Sequence, residues 1–384
     1  MIYKKFGNTG AKVSALGFGA MRLPMQESED GRPKYVDYDK AVPLMQRAFE
    51  LGVNYLDTAT FYCNQDSEVA VGKALKGWRD KVYLSAKNPV TDSYDNFMKT
   101  FETTIKKLDT DYIDFYHYHG INLESFREKI DVKGGPIDAG KKLLDEGVVK
   151  HLSFSFHDDP ENIKPIIDSG YFSSTLISYN LLDRSTEECL AYAKQKGLGT
   201  VVMNPVAGGK LGESSEVIQS MLGDKKRVSS VELAFRYIFS NPNIDVALSG
   251  MENMKMLKEN ADFASNAEPL SESEVIQVEK MVDENKKLAD LYCTKCKYCL
   301  PCPQQINIPH IFDLMNFYRV FELPEYARGQ YSNTYIDMDK REFPWEIEWG
   351  ADASKCNECG ACEKKCPQKI KIIKQLKESH AVLG

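Results

Sequence analysis

The chain has 384 residues, of which 42% are hydrophobic, and its formal net charge is -7 at pH 7. A chain of this length and apolar content can bury a sizeable core and form one large domain plus a small one. The acidic balance argues against a nucleic-acid-binding protein, because neutralising phosphates requires a concentrated basic surface.

The opening residues, MIYKKFGNTGAKVSALGFG, contain no apolar segment or cleavage site of the kind found in signal peptides. No uninterrupted apolar run is long enough to span a membrane. We therefore expect a soluble protein of the cytoplasm without a membrane partner. Thiols stay reduced in that compartment, so eight of the ten cysteines clustered near the end indicate metal ligands rather than disulfides.

Up to about residue 287, short apolar runs alternate with longer amphipathic ones, which is the pattern of repeated strand-helix units. The predicted strands are ALGFGAM, VNYLDT, VYLSAK, YIDFYHYH, VKHLSFSF, STLISYN, GTVVMNP and IDVALSG. Helices such as YDKAVPLMQRAFELG and SSVELAFRYIFSN separate them. Eight such units predict an α/β fold, a (β/α)8 TIM barrel. A doubly wound sheet would alternate similarly, but it would usually carry an early G-x-G-x-x-G loop, which GNTG is not.

Enzymes with a TIM barrel place their chemistry at the carboxyl ends of the strands. Polar residues that end the predicted strands are therefore the first candidates for function. They are Asp57, Lys87, His119, Ser155 and Asn204.

The segments YLDTATFY, SAKN, DYIDFYHYH and SYNLLDR, with the GFGAM start and the PVAGGKL loop, resemble the aldo-keto reductases. The resemblance covers nearly all of residues 1–287, the predicted first domain. It implies a small-molecule carbonyl or alcohol as substrate and NADP(H) bound in an extended pose. It also implies a catalytic tetrad, which consists of Asp57, Tyr62, Lys87 and His119.

The chemistry of these four side chains supports the tetrad independently. A carbonyl that receives a hydride needs a proton donor, and free tyrosine, with a pKa of about 10, holds its proton too tightly. An ammonium beside the phenol lowers its pKa, so Lys87 is expected to activate Tyr62, while Asp57 holds Lys87 in place. His119 is expected to orient the carbonyl or relay the proton. His117 has the same strand parity and is expected to face inward one layer deeper.

The resemblance further implies four contacts to the nucleotide, and these are Ser155, Asn204, Glu259 and Asn260. Other family contacts differ here. Phe156 stands where the family usually has Asn, Leu176 where it has the Gln that binds the carboxamide, and Met203 where many members stack an aromatic ring.

The loop SGMENMKMLKEN carries Gly250 and Met256 where the family often has Lys and Arg, so a bidentate phosphate clamp is missing. Lys255 and Lys258 remain candidate substitutes. We predict little preference for NADP(H) over NAD(H). Cys63, which follows Tyr62, is interpreted as a small space-filling residue rather than a redox thiol, because no resolving partner is near it in sequence.

Two cysteine runs define the second predicted domain, residues 288–384. CNECGACEKKCP has the spacing C-x2-C-x2-C-x3-C-P of bacterial ferredoxins that bind [4Fe-4S] clusters. In CTKCKYCLPCP the last gap is one residue shorter, which resembles the ferredoxin-like tails of one aldo-keto reductase branch. Two zinc sites would also use eight thiolates, but zinc sites normally present separated C-x2-C pairs. We therefore expect two [4Fe-4S] clusters.

In ferredoxins the fourth cysteine of each run ligates the other cluster. That rule gives two ligand sets, which are Cys293, Cys296, Cys299 and Cys366, and Cys356, Cys359, Cys362 and Cys302. The connection between the runs contains IPHIFDLMNFYRVF, which is predicted to form a helix.

A hydride carries two electrons and each cluster ordinarily transfers one, so a two-electron cofactor is expected in the barrel. The leading prediction is an iron-sulfur aldo-keto reductase that uses NAD(P)(H). The alternative is a ferredoxin-linked reductase in which the clusters feed a flavin, or the substrate directly, with little use of nicotinamide. A third hypothesis, a non-enzymatic redox-sensing subunit, is disfavoured by the intact tetrad.

The closing stretch KCNECGACEKKCPQKIKIIKQLKESH has an excess of lysines beside the second cysteine run. A basic face of this kind would steer an acidic carrier such as a ferredoxin or flavodoxin. A solvated amphipathic helix would carry the same lysines, and that interpretation stays open.

Overall fold

Twelve β-strands are present in the part of the chain that the computed structural model describes, which is all residues except 28–32, 224–225, 291–292, 294–296 and 333–349. They are β1 (Tyr3–Lys5), β2 (Lys12–Ser14), β3 (Leu16–Gly19), β4 (Met25–Glu27), β5 (Pro33–Val36), β6 (Tyr55–Asp57), β7 (Tyr83–Pro89), β8 (Ile113–Ile121), β9 (Val149–Phe156), β10 (Ser174–Ser178), β11 (Gly199–Met203) and β12 (Val246–Ser249).

Eight of these strands, β3 and β6 to β12, close into a barrel in which every neighbouring pair is parallel. Their order around the barrel follows their order in the chain, so β3 is the first barrel strand and β11 and β12 are the seventh and eighth. Each predicted strand coincides with one of the eight. The predicted (β/α)8 TIM barrel is confirmed, and the doubly wound sheet is excluded because the sheet is closed.

The described α-helices include one after most barrel strands and a group near the end of the chain. They are α1 (Tyr38–Glu50), α2 (Ser67–Ala74), α3 (Tyr94–Leu108), α4 (Leu123–Ser125), α5 (Pro136–Asp145), α6 (Ile163–Asp168), α7 (Glu187–Gln195), α8 (Glu216–Gln219), α9 (Ser230–Ser240), α10 (Met254–Asn266), α11 (Glu272–Asp290), α12 (Ile308–Arg319), α13 (Pro324–Ser332), α14 (Ala361–Lys365) and α15 (Ile372–Leu383). None of them is long and apolar enough to cross a membrane.

Helix α3 shows how the sequence determines these elements. The Ser93 hydroxyl accepts a hydrogen bond from the Asn96 backbone N–H and caps the start of the helix. The helix ends at Leu108, and the left-handed backbone of the next residue, Asp109 (φ 48°), stops the regular hydrogen bonding. Its apolar residues recur every three or four positions, so Phe97 and Phe101 fall on one buried face.

An antiparallel hairpin of β1 and β2 precedes the barrel and contributes to its core. Phe6 and Val13 are fully buried in one cluster with Phe115 and Val201 from the barrel strands. Burying a phenylalanine side chain stabilises a fold by about 2–3 kcal/mol. Gly199 is required for this packing, because a Cβ at that position would lie 2.6 Å from the Phe6 ring.

The described residues divide into two units, which we name the barrel unit (Met1–Gly208 and Ala234–Leu270) and the cysteine-rich unit (Gly209–Leu233 and Ser271–Gly384). The segment Gly209–Leu233 follows the seventh barrel strand in sequence, yet it belongs to the cysteine-rich unit. The domain boundary expected at residue 287 stays a prediction.

Within the cysteine-rich unit, Gly209–Leu233 is anchored to the start of α13. The Glu213 carboxylate accepts hydrogen bonds from the backbone N–H groups of Glu325 (2.9 Å) and Tyr326 (3.0 Å). The Ser215 hydroxyl donates to the Phe321 carbonyl at 2.7 Å. A carboxylate at a helix N-terminus satisfies N–H groups that have no partner within the helix. The core of this unit joins α12, α13 and α15 around Ile311, Phe312, Leu314, Ala327 and Leu376.

Candidate active site and cysteine cavities

Asp57 and Lys87 form an ion pair inside the barrel. Asp57 is the last residue of β6 and Lys87 lies in β7, and each side chain is only 1% exposed. The Lys87 ammonium donates to the Asp57 carboxylate and, at 3.0 Å, to the Thr58 carbonyl. The Ser85 hydroxyl donates to the second Asp57 oxygen at 2.6 Å. Both charges are therefore held in one position by neighbouring strands.

The protonation state of Lys87 follows from these contacts. Burial by itself lowers the pKa of Lys87, but the Asp57 carboxylate, with a smaller influence from Tyr62, acts in the opposite direction, and the net pKa is raised. Lys87 is thus an ammonium at neutral pH.

Tyr62 lies beside this ammonium. The Lys87 Nζ atom is 4.6 Å from the centroid of the Tyr62 ring, and the His119 ring lies edge-on to it with centroids 6.0 Å apart. Burial raises the pKa of Tyr62, and Lys87 lowers it by a smaller amount, so the net pKa is raised. The influence of Lys87 has the expected sign, but burial outweighs it. The phenol consequently keeps its proton at neutral pH.

The two histidines of β8 are neutral. Burial, with Lys87 next, lowers the pKa of His119 well below its usual value of 6.5. Burial and Lys87 also lower the pKa of His117 to about 3. His117 is fully buried and pairs with Lys87 in the strand register. The structure therefore brings together the four predicted tetrad residues, with buried His117 in register with Lys87 on the next strand.

The four predicted nucleotide contacts lie at or after the ends of barrel strands. The Ser155 hydroxyl accepts from the Gly120 backbone N–H at 2.6 Å. Asn204, which is exposed and has a φ of 60°, donates to the Ser178 hydroxyl at 3.1 Å. The side chains of the last two contacts differ in burial. Asn260 is buried and donates to the Ser249 hydroxyl at 3.2 Å, whereas Glu259 is exposed.

The departures from the family pattern also have structural counterparts. Leu176 is buried in the apolar core of the barrel, where its side chain offers no hydrogen bond to an amide. Met256 is 41% exposed on α10. Lys255, one candidate substitute for the missing clamp, is 84% exposed and lies 3.9 Å from Glu259.

Sequence reasoning missed two features of the site. Ser85 shares the strand parity of Lys87, and that signal could have indicated its bond to Asp57. Cys63, Asn64 and Gln65 form three successive left-handed residues directly after Tyr62, with φ between 51° and 68°. Such a turn costs roughly 1–2 kcal/mol per residue, and no glycine marks it in the sequence. Burial raises the pKa of the Cys63 thiol, so it is not a thiolate at neutral pH.

Most of the clustered cysteines line two cavities in the cysteine-rich unit. The first, of about 330 Å³, is lined by Cys299, Cys302, Cys356, Cys359 and Cys362. The second, of about 340 Å³, is lined by Cys293, Cys299 and Cys366. Each cavity therefore receives the fourth cysteine of the other run. Cys296 lies outside the described residues.

The spacing of these thiols distinguishes between kinds of metal group. Among the described residues, no three His, Cys, Asp or Glu side chains converge closely enough to bind a single metal ion. A zinc ion draws all its sulfur ligands to about 2.3 Å. A cluster of four irons bonds each cysteine to a different iron, so cysteines distributed around a cavity suit a cluster better than a single ion.

A parallel eight-stranded barrel with this buried constellation, followed by two cysteine-lined cavities, defines a class of oxidoreductase. The model of the Aldo/keto reductase family matches residues 15–283, and the model of a 4Fe-4S dicluster domain matches residues 292–372. The chain belongs to the aldo-keto reductase family and carries a C-terminal ferredoxin-like 4Fe-4S dicluster domain.

Three similar proteins illustrate the relationship. An uncharacterized oxidoreductase of Bacillus subtilis is 27% identical over an alignment of 305 residues, and the match covers 71% of this chain and 94% of that protein. The holo form of an aldo-keto reductase from Bacillus halodurans is 28% identical, with a TM-score of 0.63 over 73% of this chain and 96% of that one. An aldo-keto reductase from Klebsiella pneumoniae in complex with NADP and acetate is 22% identical, with a TM-score of 0.59, and the match covers 73% of this chain and 95% of that one. The last likeness concerns the fold alone.

Proposed function

We propose that the barrel reduces a carbonyl group, or oxidises the corresponding alcohol, with a nicotinamide nucleotide and with Tyr62 as the general acid and base. The observation that carries the proposal is the buried Asp57 and Lys87 pair beside the Tyr62 ring. When bound, the nucleotide supplies the hydride for reduction or accepts it in oxidation.

The residues of the chain then handle the proton. In reduction the Tyr62 hydroxyl donates its proton to the carbonyl oxygen, which leaves a phenolate. The Lys87 ammonium stabilises that phenolate, because opposite charges attract strongly in a site shielded from water. Asp57 and the Thr58 carbonyl keep Lys87 in place. Neutral His119 forms a hydrogen bond that orients the substrate oxygen. In alcohol oxidation the same phenolate takes the proton back.

We further propose that two [4Fe-4S] clusters occupy the cysteine cavities. One would be held by Cys356, Cys359, Cys362 and Cys302, and the other by Cys293, Cys296, Cys299 and Cys366. The lining of the two cavities supports this crossed assignment. When bound, the clusters supply one-electron transfer to or from an external carrier.

A second candidate is a ferredoxin-linked reductase that makes little use of nicotinamide. Leu176 and Met256 favour it, because they replace side chains with which the family binds the nucleotide. The comparisons give no support to the flavin that this alternative could use.

The test compares Tyr62→Phe with Tyr192→Phe in protein purified anaerobically. Tyr192 lies in α7 and donates to Asp168, so its substitution makes the same chemical change outside the site. Tyr62→Phe should keep the fold and both clusters but lose most carbonyl-reducing turnover, whereas Tyr192→Phe should keep it. Near-normal turnover of Tyr62→Phe with a verified substrate would remove Tyr62 from this role. Bound nucleotide should be identified in the same preparation.

A further inference from the structure

Arg22 lies where three barrel strands end. It follows the first strand, β3, and its guanidinium donates to the Gly208 carbonyl at 3.3 Å. Its side-chain carbons lie 3.4 to 3.6 Å from the position that a Cβ would take on Gly250. Gly208 follows the seventh strand and Gly250 directly follows the eighth. The arginine therefore reaches from the end of the first strand to the ends of the last two.

The charge of Arg22 has no carboxylate beside it among the described residues. Its side chain is exposed, and its one hydrogen bond within the described chain is the long contact to Gly208. A guanidinium has five N–H donors, so most of them remain available to a ligand. Such a group is suited to an anion with paired oxygen atoms.

The position also matches a general property of the barrel. TIM barrels frequently bind phosphate with the loops after the seventh and eighth strands. In this chain two positions after the eighth strand lack the cations that the family often has there, since Gly250 and Met256 stand in place of Lys and Arg. Arg22 brings a positive charge to the same place from a different strand.

Gly250 and Arg22 lie next to each other. A Cβ on Gly250 would lie 3.4 to 3.6 Å from the arginine carbons, which is ordinary van der Waals contact, whereas a branched or longer side chain would reach into the space of Arg22. Arg22 therefore keeps its position only while the side chain at position 250 stays small.

We propose that Arg22, beside Gly250, binds a phosphate group of the nicotinamide nucleotide. The proposal rests on the nucleotide dependence proposed above and adds the residue that holds the phosphate. Phosphate occurs in two places on such nucleotides. The diphosphate is common to NADH and NADPH, whereas the 2'-phosphate belongs to NADPH alone.

The test measures the affinities of NADH and NADPH by calorimetry on anaerobic, cluster-loaded protein. Arg22→Gln should weaken both nucleotides at least about tenfold if the contact is to the diphosphate, as expected for the loss of a paired charge. Arg22→Lys should weaken them less.

Arg47→Gln is the matched control, because Arg47 is an exposed arginine of α1 that pairs with Glu50, and it should change neither affinity. A loss confined to NADPH would also support the proposal and place the contact on the 2'-phosphate. Unchanged affinities in Arg22→Gln overturn it.

A double-mutant cycle tests the steric relation. Gly250→Val should weaken nucleotide binding when Arg22 is present and have little additional effect in Arg22→Gln, because both changes remove the same contact. Independent, additive losses would contradict the shared role.

Inorganic pyrophosphate separates this inference from the proposed function. If the unmodified protein binds neither nucleotide, the nucleotide dependence fails, but pyrophosphate binding that Arg22→Gln abolishes would still support the phosphate site. Failure of the unmodified protein to bind pyrophosphate as well as both nucleotides overturns both.

Discussion

Lys87 donates to Asp57 between two adjacent strands of the barrel, and neither side chain has more than 1% of its surface exposed. Removing one member of such a pair leaves an uncompensated buried charge, which typically costs about 3–5 kcal/mol. Lys87→Met should therefore lower the free energy of unfolding by an amount in this range, measured from denaturant midpoints. The double variant Asp57→Asn, Lys87→Met should be less destabilised than the sum of the single variants, because both charges are gone.

Lys142→Met provides the control for this measurement. Lys142 pairs with Glu146 on the exposed face of α5, so its loss should change stability little. Equal losses in the free energy of unfolding from the two lysine substitutions would show that the buried pair contributes no more to stability than an exposed one.

The pH dependence of turnover should reflect the raised pKa of Tyr62. Reduction requires the protonated phenol, so kcat/KM for carbonyl reduction should stay flat through neutral pH and fall only as the pH rises through a value above 10. Alcohol oxidation requires the phenolate and should increase over the same range. Because the pKa of His119 is well below 6.5, its titration should cause no break near neutral pH. A fall in reduction below pH 9 would contradict this assignment.

The cluster that a cysteine substitution perturbs should depend on the cavity that the cysteine lines, not on its position in the sequence. Anaerobically purified protein should be brown and contain about eight irons per chain. Cys302→Ser and Cys359→Ser, which line the first cavity, should perturb the same electron paramagnetic resonance signal of the reduced protein. Cys366→Ser should perturb the other. The control is Cys189→Ser in α7, which should perturb neither.

Two results would count against this assignment. Stoichiometric zinc without a visible chromophore would rule out the clusters. Grouping of Cys359 with Cys366, apart from Cys302, would rule out the crossed ligand sets.

NADPH should bind no more than a few times as tightly as NADH, because no guanidinium stands at the family's position for the 2'-phosphate. Met256→Arg should raise the affinity for NADPH about tenfold and leave the affinity for NADH unchanged. Met254→Arg is the matched control, since Met254 is 38% exposed on the same helix but two positions away. If the unmodified protein binds NADPH a hundredfold more tightly than NADH, about 2.7 kcal/mol, another residue supplies the clamp.

Three lysines near the end of the chain are exposed, and so is one of the clustered cysteines. Cys359 is exposed, and so are Lys369, Lys371 and Lys374. If they steer an acidic ferredoxin or flavodoxin, cluster reduction by that carrier should slow as the salt concentration rises. Screening limits the distance over which the charges act to about 8 Å at physiological ionic strength. Replacing the three with Gln should cause a similar slowing, measured by stopped flow, without altering reduction by dithionite.

Three exposed lysines of the barrel unit, Lys99, Lys133 and Lys150, make the matched control when replaced by Gln. Rates that respond neither to salt nor to the first triple substitution would exclude this surface as the entry point for electrons.

The barrel could be predicted because each of its strands is determined by residues that are close together in the sequence. Each strand is a short apolar run, and the polar residue that ends it, such as Asp57, identifies the carboxyl rim. The position of Arg22 could not be predicted, because its neighbours Gly208 and Gly250 are far away in the sequence. The left-handed turn at Cys63 to Gln65 could not be predicted either. Residues other than glycine rarely adopt a left-handed conformation, so the surrounding structure must impose it. Prediction therefore succeeded where neighbours in sequence determine conformation and failed where distant contacts do.

The bond between Glu213 and the backbone of Glu325 joins positions 112 residues apart, and this separation affects how the protein is made. Translation adds about 5–20 residues per second, so the ribosome needs roughly 6 to 22 s to proceed from Glu213 to its partner. The eighth barrel strand, β12, is synthesised within that interval. All the strands of the barrel thus leave the ribosome while the Gly209–Leu233 segment still lacks the helix that anchors it. During synthesis, the barrel has its complete set of strands before this segment can adopt its final conformation.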